Sequence, residues 1–366
     1  MELRFIMKTH TGALRPGNYS ILISKCTYPD RRAHPEMVAK SLESRLRGLP
    51  SEGIELEEKR EKKSIAEYTV RLAGKKNRGF GFLLDNMIWS WKGHVINTVL
   101  SYLNKNTRED VGVFFPDELP KLEQIAYLRY FLETEGALIL KIAERISEEG
   151  ETSYSYLKDN IQGIFLEIYE GYIDASPDFR TRVRVREMLK EMQKQMKSRE
   201  KTYRKSTLPH KIKPHIQALK DLGILSIEER KDDEIYKSAA LCTLFKELSD
   251  IPQMETTFSN YAYFRLIADA LNLKPNEYHV YKHKELVEEA VHYGYSVMKD
   301  KATGMVDIDA LVDWCCIKML AQDNILIGKQ DVERFFDEMR KQDPASIRYH
   351  VNGKGRIAYL ILPKVV

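Results

Sequence analysis

Between Phe179 and Lys220 the chain carries fourteen Lys or Arg against three acids, Glu187, Glu191 and Glu200. That is a local net charge of +11 in a protein whose total is +4, which leaves the rest of the chain at −7. Clustered cations of this kind attract phosphate, and their chemistry is binding rather than catalysis. The candidate phosphate contacts are Arg180, Arg182, Arg184, Arg186, Lys197, Arg199, Lys201, Arg204, Lys205, Lys211, Lys213 and Lys220. His215 and Gln217 lie among them and can read base edges, Gln most directly by pairing with adenine.

Two elements must position these groups. The first is a long polar helix, roughly Phe179 to Arg199, opened by Ser176-Pro-Asp178. Val183, Val185, Met188, Leu189, Met192 and Met196 give it enough apolar surface to pack on something. The second runs from Ser206 to Ala239. At 100° per residue, Leu208, Ile212, Ile216, Leu219 and Leu222 share one arc, with His210, Lys213, Gln217 and Lys220 beside it. Gly223 is placed as the stop. Ile224 to Arg230 alternates like a strand, Asp232-Asp233 supplies a turn, and Glu234 to Ser238 returns as its partner. Pro214 interrupts this run, so regular helix is expected to begin there, with Lys213 as a cap.

Helix, Gly, strand, turn, strand resembles the second half of a winged helix-turn-helix module, over about residues 179–240. The resemblance implies a helix in the major groove and a hairpin, or wing, on the backbone. Carried over, Lys213, His215, Gln217 and Lys220 face the groove and Lys231 sits at the wing tip. The C-terminal part, about 307–366, resembles the same superfamily. Val332, Phe335, Phe336 and Met339 form a core stripe, and the hairpin Ser346 to Leu362 turns at Asn352-Gly-Lys-Gly-Arg356. Lys354 and Arg356 are its candidate backbone contacts. The helix before it mixes Asp331, Glu333, Asp337 and Glu338 with Arg334, Arg340 and Lys341. Carboxylates repel phosphate, so packing, dimerisation or a partner contact is expected of that helix.

A second aromatic and basic motif lies near the N-terminus. Arg78-Gly-Phe-Gly-Phe82, preceded by Lys75 and Lys76, looks like the base-stacking motif of RNA-recognition domains. Its partner strand, Leu3 to Ile6, is about 75 residues away, and Asp85 stands where an apolar residue is usual. The plainer reading is a core strand whose basic turn, Lys75, Lys76 and Arg78, touches phosphate.

Other groupings carry less chemistry. His279 and His283 are four apart, near His292 and Glu277, but no HExxH pattern surrounds them. Cys315 and Cys316 are adjacent on an apolar helix, so they face apart and read as buried thiols. Glu57-Glu58-Lys59 has the letters of a nuclease site in a run too charged for a core strand. There is no phosphate-binding loop, nucleophile elbow or dinucleotide fingerprint.

The frame is an α+β, mostly α chain of 366 residues, 43% hydrophobic and 31% charged. The expected division is an N-terminal α/β domain over 1–110, a helical region over 111–176 and a winged-helix module over 177–250. A helical segment with a C-terminal winged-helix-like module fills 251–366. No internal repeat is visible. Four scattered cysteines without a CxxC pair exclude a disulfide scaffold and a zinc ribbon. Neither a membrane span nor a signal peptide is read, so a cytoplasmic or nucleoid-associated protein is expected. The expected function is non-catalytic binding of double-stranded DNA, as a regulator, a replication initiator or a subunit of a larger complex. RNA is a further possible ligand, and a protein partner or homodimer would use the C-terminal module. No cofactor, metal or membrane is expected. The alternatives are a protein-interaction subunit, an RNA-binding protein and a metal-dependent nuclease.

Overall fold

The computed structural model describes residues 91–107, 119–175, 179–198, 212, 216, 219–220, 222–231, 233–238, 260–353, 355 and 357–362. It is mostly helical, with small sheets. The expected α/β region before Trp91, including Lys75, Lys76, Arg78 and the motif around them, lies outside the described residues.

Helix α1, Trp91–Thr107, buries Val95, Ile96, Val99, Leu100 and Leu103, the spacing of a helix with one core face. It packs on α2, Lys121–Glu149, which starts after Pro120 and ends at Gly150 with φ 75°. That left-handed residue suits glycine and turns the chain out of the helix. The stretch read as continuously helical is therefore broken. A three-residue strand β1, Glu151–Ser153, precedes α3, Tyr154–Ala175. Ser153 Oγ accepts from the Tyr156 N–H at 3.0 Å and caps α3. Leu157, Ile161, Ile164 and Ile168 bury its inner face, and α4, Phe179–Ser198, packs against it.

Ile212, Ile216, Leu219 and Lys220 are helical, and Ile212, Ile216, Leu219 and Leu222 are buried, as their spacing predicts. Ile212 is already helical, two residues ahead of Pro214, which moves the start upstream of the expected position. The end is a Schellman motif: the Gly223 N–H donates to Lys220 O at 2.8 Å and the Ile224 N–H to Leu219 O at 2.9 Å, with Gly223 at φ 71°.

Strands β2, Leu225–Arg230, and β3, Asp233–Ser238, form the expected hairpin. Arg230 pairs with Asp233, so Asp233 is already in the strand and the turn starts at Lys231, one residue earlier than the expected Asp232-Asp233. Lys231 takes φ 46°, the left-handed geometry that tight hairpin turns demand. The third strand of this sheet is β1, which pairs with β3 through Thr152 and Tyr236, giving the order β1-β3-β2. The sheet thus draws one strand from the region expected to be purely helical and crosses the expected boundary at 176.

Further on come α5, Asn260–Ala270, β4, Asn276–Glu277, and α6, Val280–Met298. They are followed by β5, Val306–Asp307, α7, Ile308–Gln322, and β6, Ile325–Leu326. The chain closes with α8, Lys329–Gln342, β7, Arg348–Val351, and β8, Ile357–Ile361. The last sheet has the order β5-β8-β7. Val332, Phe335 and Phe336 are buried, and Met339 packs beside them.

Helix α7 is apolar nearly all round and buried from Ile308 through Leu320 except for Asp309, so it forms the centre of the described body. It packs on α1, α2, α5, α6 and α8. Trp314 Nε1 donates to Ala290 O at 2.8 Å. A Cβ on Gly294 would lie 2.7 Å from Leu311 Cδ1 and closer still to Trp314, so glycine is what lets α6 and α7 approach. Arg129 of α2 pairs with Asp313 of α7 at 3.4 Å and lies over the Tyr263 ring of α5 at 4.4 Å.

One plan occurs twice. Residues 119–238 run helix, strand, helix, inserted α4, helical segment, hairpin. Residues 280–362 run helix, strand, helix, helix, hairpin, with only the short β6 between the last two helices. In both, the first strand pairs with the last of three. No repeat in the sequence announces this.

Candidate nucleic-acid interface

The inserted helix α4 carries the basic segment. Val185 is buried against the body, while Arg180, Arg184, Arg186, Lys190 and Lys194 are exposed and Arg182 is half-buried. Arg182, Arg186, Lys190 and Lys194 follow one another at i, i+4, so they form a single row along the helix. The row spans about 18 Å at 1.5 Å per residue. None of these side chains forms an ion pair with a described residue. Like charges at i, i+4 repel by about 0.2–0.5 kcal/mol per pair. The row bears that cost three times in succession, offset in part by Glu187 and Glu191, which stand three residues before Lys190 and Lys194, and a bound polyanion would relieve the rest. Lys197 occupies the last turn of α4.

Lys220 is exposed at the end of the helical segment, beside the buried Leu219. Arg199, Lys201, Arg204, Lys205, Lys211, Lys213, His215 and Gln217 lie outside the described residues, as do Lys354 and Arg356. The expected contact set omits Lys190 and Lys194. Their spacing from Arg186 is the signal that finds them.

The first hairpin has a different charge. Lys231 is exposed at its tip, yet residues 228–234 include Glu228, Glu229, Asp232, Asp233 and Glu234. The other cations are spent inside the sheet. Arg230 holds Glu228 with Nε and Nη2 at 2.8 and 3.0 Å and reaches Glu151 Oε1 with Nη1 at 2.9 Å. Lys237 also donates to Glu228. Hydrogen bonds from Arg230 and then Lys237 pull the Glu228 carboxyl down to about 2. Burial pushes Asp233 up, but hydrogen bonds from Ser155, Ser153 and the Glu234 N–H outweigh it and lower its pKa. Asp233 Oδ1 accepts from the Ser155 N–H at 3.2 Å, so this hairpin also holds the start of α3.

The second hairpin reverses the pattern. No acid follows Asp343, and Arg348, Lys354, Arg356 and Lys364 are its cations. Its helix α8 is mixed: Lys329 pairs with Asp309, and Asp331 Oδ2 accepts from the Gly328 N–H at 3.0 Å. Val351, Ile357 and Tyr359 are exposed by 64%, 52% and 40%. These three apolar residues are absent from the expected site. Their alternation with the buried Leu360 is the signal in the sequence.

Among the described residues no group of three or more His, Cys, Asp or Glu could hold a metal ion. His283 Nδ1 accepts from the His279 N–H at 3.1 Å, so that nitrogen serves the start of α6. Cys315 and Cys316 are buried and not joined to another cysteine, and burial pushes both thiols up. No described helix is long and apolar enough to cross a membrane. Comparison with known proteins finds no matching family model, no matching curated protein and no matching solved structure.

Proposed function

We propose that this chain binds double-stranded DNA without catalysis, gripping the phosphate backbone through α4 and the basic segment that follows it. The observation that carries this reading is the row Arg182, Arg186, Lys190 and Lys194, exposed or half-exposed and without an ion pair to any described residue, on a helix that packs against α3. A charge row that costs helix stability is explained by a ligand that supplies the missing anions.

We read residues 119–238 and 280–362 as two winged-helix modules. Supporting this are their common element order, their common strand order and the glycine-ended helical segment before the first hairpin. On this reading Lys220 and the positions before it address the groove, and α4 is an added clamp on the backbone. Lys231 contributes little, because five carboxylates nearby in sequence oppose phosphate there. The chain serves as a regulator, an initiator or the DNA-binding subunit of a complex.

The rival is a protein-interaction subunit whose basic helix meets an acidic partner. Titration of a labelled duplex at about 50 mM salt, where phosphate contacts are strong, separates the two. Duplex binding that polyglutamate does not displace supports the proposal. Absence of duplex affinity, with tight polyglutamate binding, rejects it. Tighter binding of single-stranded RNA than of duplex would transfer the function to RNA.

A further inference from the structure

The two hairpins occupy the same place in the repeated plan, so each is a control for the other. The outer face of the first sheet is a charge network of Glu151, Glu228, Arg230 and Lys237 that satisfies itself. On the second sheet Val351 faces Ile357 and His350 faces Tyr359. Ile357 and Val351 are the last pair before the connection 352–356, so the exposed apolar groups lie at the free end of the hairpin. Isolated exposed apolar residues need no explanation, but three on one small hairpin do.

The charge around them selects the occupant. The connection contributes Lys354 and Arg356, and Arg348 on β7 is exposed. No acid occurs from Pro344 to Val366. The acid brought into this sheet by pairing, Asp307 opposite Tyr359, is occupied as the cap of α7 and accepts from the Ala310 N–H at 3.1 Å. Exposed apolar groups on a hairpin with the exposed Arg348, in a stretch of chain that carries cations and no acid, fit a polyanion that also offers apolar surface. Duplex DNA does so between base steps in the minor groove, where inserted apolar side chains unstack and kink it.

We propose that the C-terminal hairpin is a second duplex contact, whose cations hold the backbone while Val351 and Ile357 wedge into the minor groove and bend the DNA. This rests on the reading of the chain as a duplex-binding protein. It assigns the second module a deforming role, distinct from the clamp made by α4.

The test is energy transfer between dyes at the two ends of a duplex of about 30 base pairs, titrated with the full chain. Bound wild type should bring the ends together, as expected for a kink of about 20–90°. Val351→Ser with Ile357→Ser should still bind and leave the duplex straight. Both side chains are exposed, and an unchanged melting temperature checks the fold. Lys354→Ala with Arg356→Ala should lower the salt slope of binding by about 2. A straight duplex with wild type bound, or a bend that survives the serine pair, overturns the proposal. So does a homodimer that the serine pair dissociates while DNA binding stays unchanged. An Arg186→Ala, Lys190→Ala, Lys194→Ala variant separates this failure from that of the parent reading. If its affinity is unchanged while the hairpin variants lose theirs, the clamp is wrong and the hairpin contact stands.

Discussion

Replacing Asp313 by Asn should destabilise the protein severely. The carboxylate is buried on α7, and Arg129 reaches it from α2 at 3.4 Å with little of either side chain exposed, 11% and 6%. The guanidinium also lies 4.4 Å from the Tyr263 ring centroid on α5, so one cation ties three helices together. Asparagine keeps the shape but removes the negative charge that faces the Arg129 guanidinium where little of either side chain meets water. Breaking such a pair costs about 3–5 kcal/mol, a large part of a typical stability of about 5–15 kcal/mol. Urea unfolding should show the midpoint falling at unchanged slope. Arg129→Met with Asp313→Leu should recover most of the loss, because apolar groups of similar volume often replace a buried pair without penalty. Arg129→Met and Asp313→Leu, singly and together, form a thermodynamic cycle with a large coupling term. A loss under about 1 kcal/mol for Asp313→Asn, or a double variant no better than the worse single one, would refute the reasoning. The same joint links the two repeated units, so Asp313→Asn should also weaken duplex binding at temperatures where it remains folded.

Other expectations follow from single residues. Gly294→Ala places a methyl against Trp314 and Leu311 and should cost about 1–3 kcal/mol or more, read by thermal melting. Gly294→Ala stability equal to wild type would mean that α6 and α7 can separate freely. Glu228 has its pKa drawn from an ordinary value of 4.5 to about 2. A lowered folded-state pKa gives stability that is present above about pH 4.5 and is lost as pH falls toward 2. The melting difference between wild type and Glu228→Gln should therefore be flat above pH 5 and vanish in acid; growth of the difference in acid contradicts the pairing. Lys231→Ala should leave duplex affinity and its salt slope nearly unchanged, since the carboxylates around the first hairpin already oppose phosphate. A slope reduced by a full unit would restore Lys231 as a contact.

What could be read from the residues was what local periodicity encodes. Ile212, Ile216, Leu219, Leu222 and Gly223 announce a helix and its end because burial follows a 3.6-residue period and the stop needs a left-handed residue. Val332, Phe335 and Phe336 do the same for α8. Strand β1 could not be read. Glu-Thr-Ser is short and polar, and it is a strand only because β3, more than eighty residues later, offers it a partner. Helix α7 hides its period because nearly every residue is buried. The hairpin turn shifted by one because pairing register, set across the sheet, placed Lys231 in a conformation that Asp or Asn would favour. The repeated plan lies in strand order, which no local pattern carries. The charge of the segment 179–220 was plain from counting. The rival fates of the two hairpins were not, since they depend on which cations Glu151 and Glu228 neutralise.

The central claim is that the α4 row binds duplex phosphates. The salt dependence of duplex affinity for wild type and for the Arg186→Ala, Lys190→Ala, Lys194→Ala variant tests it most directly. Each phosphate contact adds about 0.9 to the slope of log affinity against log salt. The slope should be lower by about 2–3 in the variant, with affinity reduced uniformly across sequences and the fold intact. An unchanged slope, or a wild type with no duplex affinity at about 50 mM salt, would contradict it.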